Sequence, residues 1–300
     1  MPVAQVNGVR LNYEQIGNGP DVVMVHGLAT NLAFWYLRSA PLLRRDFRVT
    51  MYDLRGHGRS EMPSIGYSPS VMADDLEALL AILPTERIHL VGHSFGGIIA
   101  LEVALRAPHK LASLTIADTR LGVFQPRLRL KDWPHFEMWK KRLQQVGLPE
   151  PDPEGEADYL LLMHERLAAR PIRSLKRADT QLPTGLRGER RIVQQWLRLL
   201  ESTTAKTDFR MPGPSREQLQ QLTPPVLAIF GGLSHCLPTC EELRSVLDCR
   251  TVIFPGVGHF FPLSRPRLFA AVLRSFVLQR EQLENGHTSK AHDEATRTAP

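Results

Sequence analysis

The chain has 300 residues, 43% hydrophobic and 23% charged, with 37 Lys and Arg against 31 Asp and Glu for a net charge of +6. This is an ordinary composition for a soluble protein and is long enough for one α/β domain carrying an inserted subdomain. No run of about 18 apolar residues suggests a membrane span, and Met1 to Arg10 lacks a secretory signal pattern, so the expected location is the cytoplasm.

The predicted elements alternate strand and helix through the first half, the pattern of a mostly parallel sheet covered by helices. Val9–Gln15 reads as an early strand, Asp21–His26 as a buried strand ending at Gly27, and Phe47–Asp53 as another, running into the glycine-rich turn Leu54–Ser60. Ser70–Leu83 places Val71, Leu76, Leu79, Leu80 and Leu83 at helical spacing. Ile88–Val91 is the next strand, followed by Gly92–Gly97 and a helix through Ala107, which Pro108 stops. Leu111–Ala117 is again a strand.

The rhythm then breaks. Arg120–Leu200 holds the whole basic excess, mixed with acidic residues, and reads as the wet faces of amphipathic helices. A second reading of that excess is an entrance favouring an anionic substrate. No nucleic-acid partner is expected. Helical patterns cover Trp133–Val146, Glu156–Ala169 and Leu186–Ser202. Strands return at Val226–Phe230 and Thr251–Phe254, and a last helix at Pro266–Arg280. The expected organisation is a core of residues 1–120 and 216–280, a helical cap at 121–215 inserted after strand six, and a disordered tail at 281–300. Cys236, Cys240 and Cys249, with His235 beside them, match neither a disulfide framework nor a standard zinc spacing. No metal or cofactor is expected.

The chemistry centres on Gly92-His93-Ser94-Phe95-Gly96, a G-x-S-x-G turn between a strand (I-H-L-V) and a helix. Such a turn lifts a serine hydroxyl to the strand end and puts the Phe95 amide at a helix N-terminus. A serine hydroxyl needs a base. His259, in Gly256-Val257-Gly258-His259 after the last strand, supplies an imidazole at the same sheet edge. His93 is expected to project away from the site, and His57 to be structural. His26-Gly27-Leu28 resembles an oxyanion-loop motif, which implies that the Leu28 amide joins that of Phe95 as the oxyanion hole.

The order His26-Gly27, Asp53-Leu54-Arg55-Gly56-His57-Gly58-Arg59-Ser60, Gly92-His93-Ser94-Phe95-Gly96-Gly97 and Gly258-His259 resembles the α/β-hydrolase superfamily over nearly the whole chain, cap and tail excepted. The resemblance implies that the Asp53 turn is structural. It also implies an acid after strand seven, in a segment like G-x-x-D-x-x-x-P. Here Gly231-Gly232-Leu233-Ser234-His235-Cys236-Leu237-Pro238 keeps that frame with Ser234 in the acid's place. Asp118, ending strand six, is the expected replacement, as in relatives that draw the acid from that strand. The alternative is that Asp118 caps the strand or pairs with Arg120.

The expected fold class is therefore α/β, an α/β-hydrolase fold of about eight strands. The expected activity is serine hydrolysis of a small-molecule ester or lactone through an acyl-enzyme on Ser94, with His259 as base and Asp118 as acid. A thioesterase releasing an acyl chain from a pantetheine carrier is the second reading, which would make an acyl carrier a partner. A non-catalytic ligand-binding protein is the third, motivated by Ser234.

Overall fold

The computed structural model describes residues 2–132, 136–145, 150, 152–155 and 189–297. Among them, β1 (Val3–Val6), β2 (Val9–Ile16), β3 (Asp21–Val25), β4 (Arg48–Tyr52), β5 (Ile88–His93), β6 (Leu111–Ala117), β7 (Val226–Gly231) and β8 (Cys249–Phe254) form one sheet. Its spatial order is β1-β2-β4-β3-β5-β6-β7-β8. β2 runs antiparallel to both of its neighbours, and every pairing from β4 to β8 is parallel. β1 was not among the expected strands. Its signal is short, four residues joined to β2 by Asn7-Gly8, whose positive φ angles of 47° and 71° make the tight turn a hairpin needs.

The strands are buried on both faces because helices cover both. In β3, Val23 and Val25 join one apolar core while Val22 and Met24 join the other. The helix Pro69–Ile82 starts at Ser68, whose hydroxyl accepts from the Val71 amide at 3.3 Å, with Pro69 at the first helical position. It buries Met72, Leu76 and Leu79 in the first core. The helix Phe95–Arg106 packs beside it and ends before Pro108.

The second core is closed by the helix Pro266–Arg297, through Phe269, Leu273, Phe276 and Val277 at helical spacing. This helix runs on past the end expected near residue 280, so the tail expected to lack structure from 281 onward begins as helix. Glu281 Oε1 lies 3.0 Å from His89 Nε2 at the start of β5, and Arg274 grips Asp46 with two bonds of 2.8 Å.

In the stretch expected to form a cap, helices occupy Phe136–Gln145 and Glu189–Ser202. The helix expected at Glu156–Ala169 lies outside the described residues. Glu189–Ser202 buries Val193, Trp196 and Leu199, and Gln195 Nε2 donates to the Gly58 carbonyl at 3.1 Å, which seats this helix on the Asp53 turn. No helix among the described residues is long and apolar enough to cross a membrane.

Candidate active site

Ser94 sits between β5 and the helix Phe95–Arg106 with φ 55° and ψ −123°, a conformation costly for any residue with a Cβ. The strain is held in place by neighbours. The Ser94 amide donates to Ala117 O at 3.0 Å, and Gly97 N–H donates to Ser94 O at 3.0 Å. Glycine is required at 92, where a Cβ would meet Gly96 O at 2.3 Å.

His259 lies in the loop after β8, and its Nε2 is 3.0 Å from Ser94 Oγ. Its Nδ1–H donates to Asp118 Oδ2 at 2.6 Å. Asp118 ends β6 with a positive φ of 50° and is fully buried. Its other oxygen, Oδ1, accepts the Gly231 amide at 2.7 Å, and the Ser234 hydroxyl donates to Oδ2. Burial alone would raise the Asp118 pKa. The bond and charge of His259, with the Ser234 and Gly231 donors, outweigh it and hold the carboxylate below its ordinary range.

Ser234, read from the sequence as a lost acid, therefore keeps a place beside the carboxylate as a donor to it. Its own Oγ accepts the Cys236 amide at 3.0 Å, so the loop after β7 is folded around Asp118. The only signal for this in the sequence was a hydroxyl standing where the family pattern has an acid.

His93 corrects another expectation. It does not point away from the site: its ring lies 4.8 Å from that of His259, and its Nε2–H donates to the His259 carbonyl at 3.0 Å. Phe34 stacks on it at 4.6 Å. Burial, with His259 close by, drives the His93 pKa down to about 3, so the ring is neutral and acts as a prop under the His259 backbone.

The segment after β3 passes directly over Ser94, since a Cβ on Gly27 would lie 2.9 Å from Ser94 Cβ. Two buried neutral imidazoles fix this segment. His26 donates from Nδ1 to Gly27 O at 2.8 Å and accepts the Leu54 amide at Nε2 at 3.1 Å. His57 accepts the Ala29 amide at 3.3 Å and donates from Nδ1 to Arg55 O at 2.9 Å. Burial lowers their pKa values to about 4 and about 3. Leu28 follows Gly27 directly, and Phe95 opens its helix, where an N–H has no intrahelical acceptor. Asp53 has the structural place that the resemblance implied. It accepts from Leu32 N–H and the Asn12 amide at 2.7 Å and from Arg59 N–H at 2.8 Å.

This arrangement can take a proton from a serine and hold the resulting imidazolium against a buried carboxylate. Known proteins share the scaffold. A fluoroacetate dehalogenase from a Burkholderia species is 38% identical over 121 residues, 39% of this chain and 40% of that protein. The chain spans only 33–42% of the length of the first such relatives. A pimeloyl-[acyl-carrier protein] methyl ester esterase from Nitrosomonas europaea matches far more fully, 30% identical over 277 residues, 87% of this chain and 97% of the relative. Among solved structures, Est816, described as an N-acyl homoserine lactone degrading enzyme, superposes with a TM-score of 0.62 at 25% identity, covering 92% of this chain and all of that one. The alpha/beta hydrolase fold family matches residues 20–266, which run from the start of β3 to the start of the last helix, and the chain belongs to that family.

Proposed function

We propose that this chain is a serine hydrolase of carboxylic esters or lactones, with Ser94 as nucleophile, His259 as general base and Asp118 as the acid that orients it. One observation carries the reading: the unbroken line from Ser94 Oγ through both nitrogens of His259 to Asp118 Oδ2, with steps of 3.0 and 2.6 Å. His259 Nε2 takes the Ser94 proton as Oγ attacks the substrate carbonyl, then returns it to the departing alkoxide. The Leu28 and Phe95 amides receive the oxyanion, each such donor lowering the barrier by about 2.7–4 kcal/mol. Water, deprotonated in turn by His259, releases the acyl group from Ser94. Residues 121–215 act as the cap that keeps water from the bound ester, over a core of 1–120 and 216–280.

The test is hydrolysis of p-nitrophenyl esters of graded chain length and of N-acyl homoserine lactones, run beside fluorophosphonate labelling. Turnover with the label on Ser94 is the expected result. Neither turnover nor label would overturn the reading.

A carrier-bound substrate is the second reading, favoured by the Nitrosomonas europaea relative, which is named for an ester on an acyl-carrier protein. A matched acyl chain offered as thioester and as oxygen ester, free and on a carrier, separates the two. Preference for the carrier-bound oxygen ester supports the relative's type of substrate, whereas preference for the thioester supports release from pantetheine. The non-catalytic reading loses its motive, because Asp118 meets the base that Ser234 cannot.

A further inference from the structure

Asp118 grows out of β6, yet β7 and its loop hold it. Its amide donates to the Ile229 carbonyl at 2.8 Å, and Oδ1 accepts the Gly231 amide at 2.7 Å. Oδ2 is shared: His259 Nδ1–H reaches it at 2.6 Å, and the Ser234 hydroxyl donates to it as well. The direction of that hydroxyl is fixed. Ser234 Oγ accepts the Cys236 amide at 3.0 Å, which occupies a lone pair and leaves the O–H for the carboxylate. The Ser234 backbone is pinned too, its amide donating to Gly231 O at 3.0 Å and its carbonyl accepting the Leu237 amide at 3.2 Å. Both residues are buried, so bulk water does not compete for the bond between them.

We propose that Ser234 is a positioning residue of the hydrolase, its hydroxyl sharing Asp118 Oδ2 with His259 and so setting how firmly the carboxylate holds the imidazolium formed in the reaction. The inference rests on the hydrolase reading above and deepens it, because it gives a share in the proton transfer to the position where the family pattern has the acid.

The electrostatics give the direction of the effect. As Ser94 Oγ attacks, its proton passes to His259 Nε2, and the ring, still bonded to Asp118 through Nδ1–H, carries one positive charge. Ser234 keeps its own proton throughout. A carboxylate oxygen that already accepts a hydroxyl is less basic and offers less negative charge to a second donor. With the hydroxyl gone, Oδ2 holds the imidazolium more tightly. The ring then keeps its extra proton to higher pH, and less of the enzyme presents a free Nε2 on the acid side.

Among the described residues, the other titratable and charged groups around this pair come from β5, β6 and the loop after β7. The rings of His93 and His235 lie 4.8 and 4.9 Å from that of His259, and burial first of all holds them down to about 3 and about 4. The Cys236 thiol is pushed well up by burial and then by the Asp118 charge, so it stays protonated. Arg120, two residues past Asp118, places its positive charge near His235 and Cys236. All of these remain in a Ser234 variant, and across neutral pH only His259 among the uncharged ones changes its protonation during the cycle.

The test compares kcat/KM for p-nitrophenyl butyrate from about pH 5 to 9 in the wild type, Ser234→Ala and Ser234→Thr. Ser234→Ala should move the acid limb up by about 0.5–1 pH unit, part of the worth of one hydrogen bond to a charged group, with KM at the plateau nearly unchanged. Ser234→Thr restores the hydroxyl and should bring the limb back. The far-downfield proton resonance of His259 Nδ1–H reads the same bond without turnover, and should move further downfield in Ser234→Ala and return in Ser234→Thr. Ser234→Cys, a weaker donor, should give an intermediate limb and keeps the test decisive if Ser234→Ala fails to fold. An acid limb and a resonance unchanged in the folded Ser234→Ala, a limb moved down, or no return in the folded Ser234→Thr would overturn the proposal. A downfield shift in Ser234→Ala of a chain that hydrolyses nothing would support the shared oxygen and instead defeat the hydrolase reading.

Discussion

Two buried aspartates stand at the ends of strands in this molecule, and they have opposite fates. Asp53, after β4, is surrounded by the fixed donors Leu32 N–H, Arg59 N–H and the Asn12 amide. Burial outweighs those bonds and raises its pKa. Asp118, after β6, is at least as buried, but one of its partners is an imidazole that can itself become charged, and its pKa is lowered. Burial and hydrogen-bond number are similar at the two sites. What separates them is the partner: a carboxylate facing fixed dipoles braces a loop, whereas one facing a titrating ring can stabilise charge that appears during a reaction. The family pattern places the catalytic acid after β7, yet the hydroxyl of Ser234 stands there and donates to Asp118. β6 and β7 are paired neighbours, so an acid from either strand end can reach the same imidazole.

The largest expected effect breaks the comparison on the catalytic side. Asp118→Asn should lower kcat by ~10⁴ through the wrong imidazole tautomer while the protein remains folded, as steady-state kinetics and circular dichroism would show. Near-normal turnover would remove Asp118 from the mechanism. The next sharpens the point about neighbouring strands. Asp118→Asn with Ser234→Asp should recover about tenfold or more over the single variant, within the 0.5–3 kcal/mol coupling usual for residues in contact. No recovery would mean that the loop after β7 cannot present a carboxylate to His259.

On the structural side, Asp53→Asn should cost about 1–3 kcal/mol of stability by leaving buried donors unmatched, seen as a lower urea midpoint, with kcat nearly unchanged. A large fall in kcat without destabilisation would give Asp53 a catalytic share. The smallest effect is read from pH. His26, His57 and His93 are held by burial at about 4, 3 and 3 against an ordinary 6.5. Below pH 6.5 the unfolded chain takes up protons that the folded one refuses. Stability present above 6.5 is therefore lost as pH falls toward 4, by about 1.4 kcal/mol per pH unit for each ring. His57→Asn should make that slope shallower by about one ring's share in urea unfolding between pH 6.5 and 5. An unchanged slope would mean that His57 is not held neutral in the fold.

Much of this was legible in the sequence because the informative signals are local. G-H-S-F-G must turn sharply whatever surrounds it, since the glycines at 92 and 96 admit an approach that a side chain would block. Parallel strands such as β3 and β6 announce themselves as short apolar runs. The same reasoning missed β1, too short to show a period, and set the end of the last helix too early, because the contact of Glu281 with His89 spans 192 positions.

The amino-acid order by itself determined the fold class and pointed to Ser94 and His259, because each is marked by a few consecutive residues whose backbone needs are particular. Only the tertiary structure decided how Asp118, Ser234, Cys236 and His93 relate to His259. Those residues stand at or just after the ends of β5, β6, β7 and β8, and their distances depend on strand pairing and helix packing that no local pattern encodes. Whether a buried carboxylate, thiol or imidazole braces, orients or binds depends on its neighbours in space, and that is decided when the sheet assembles.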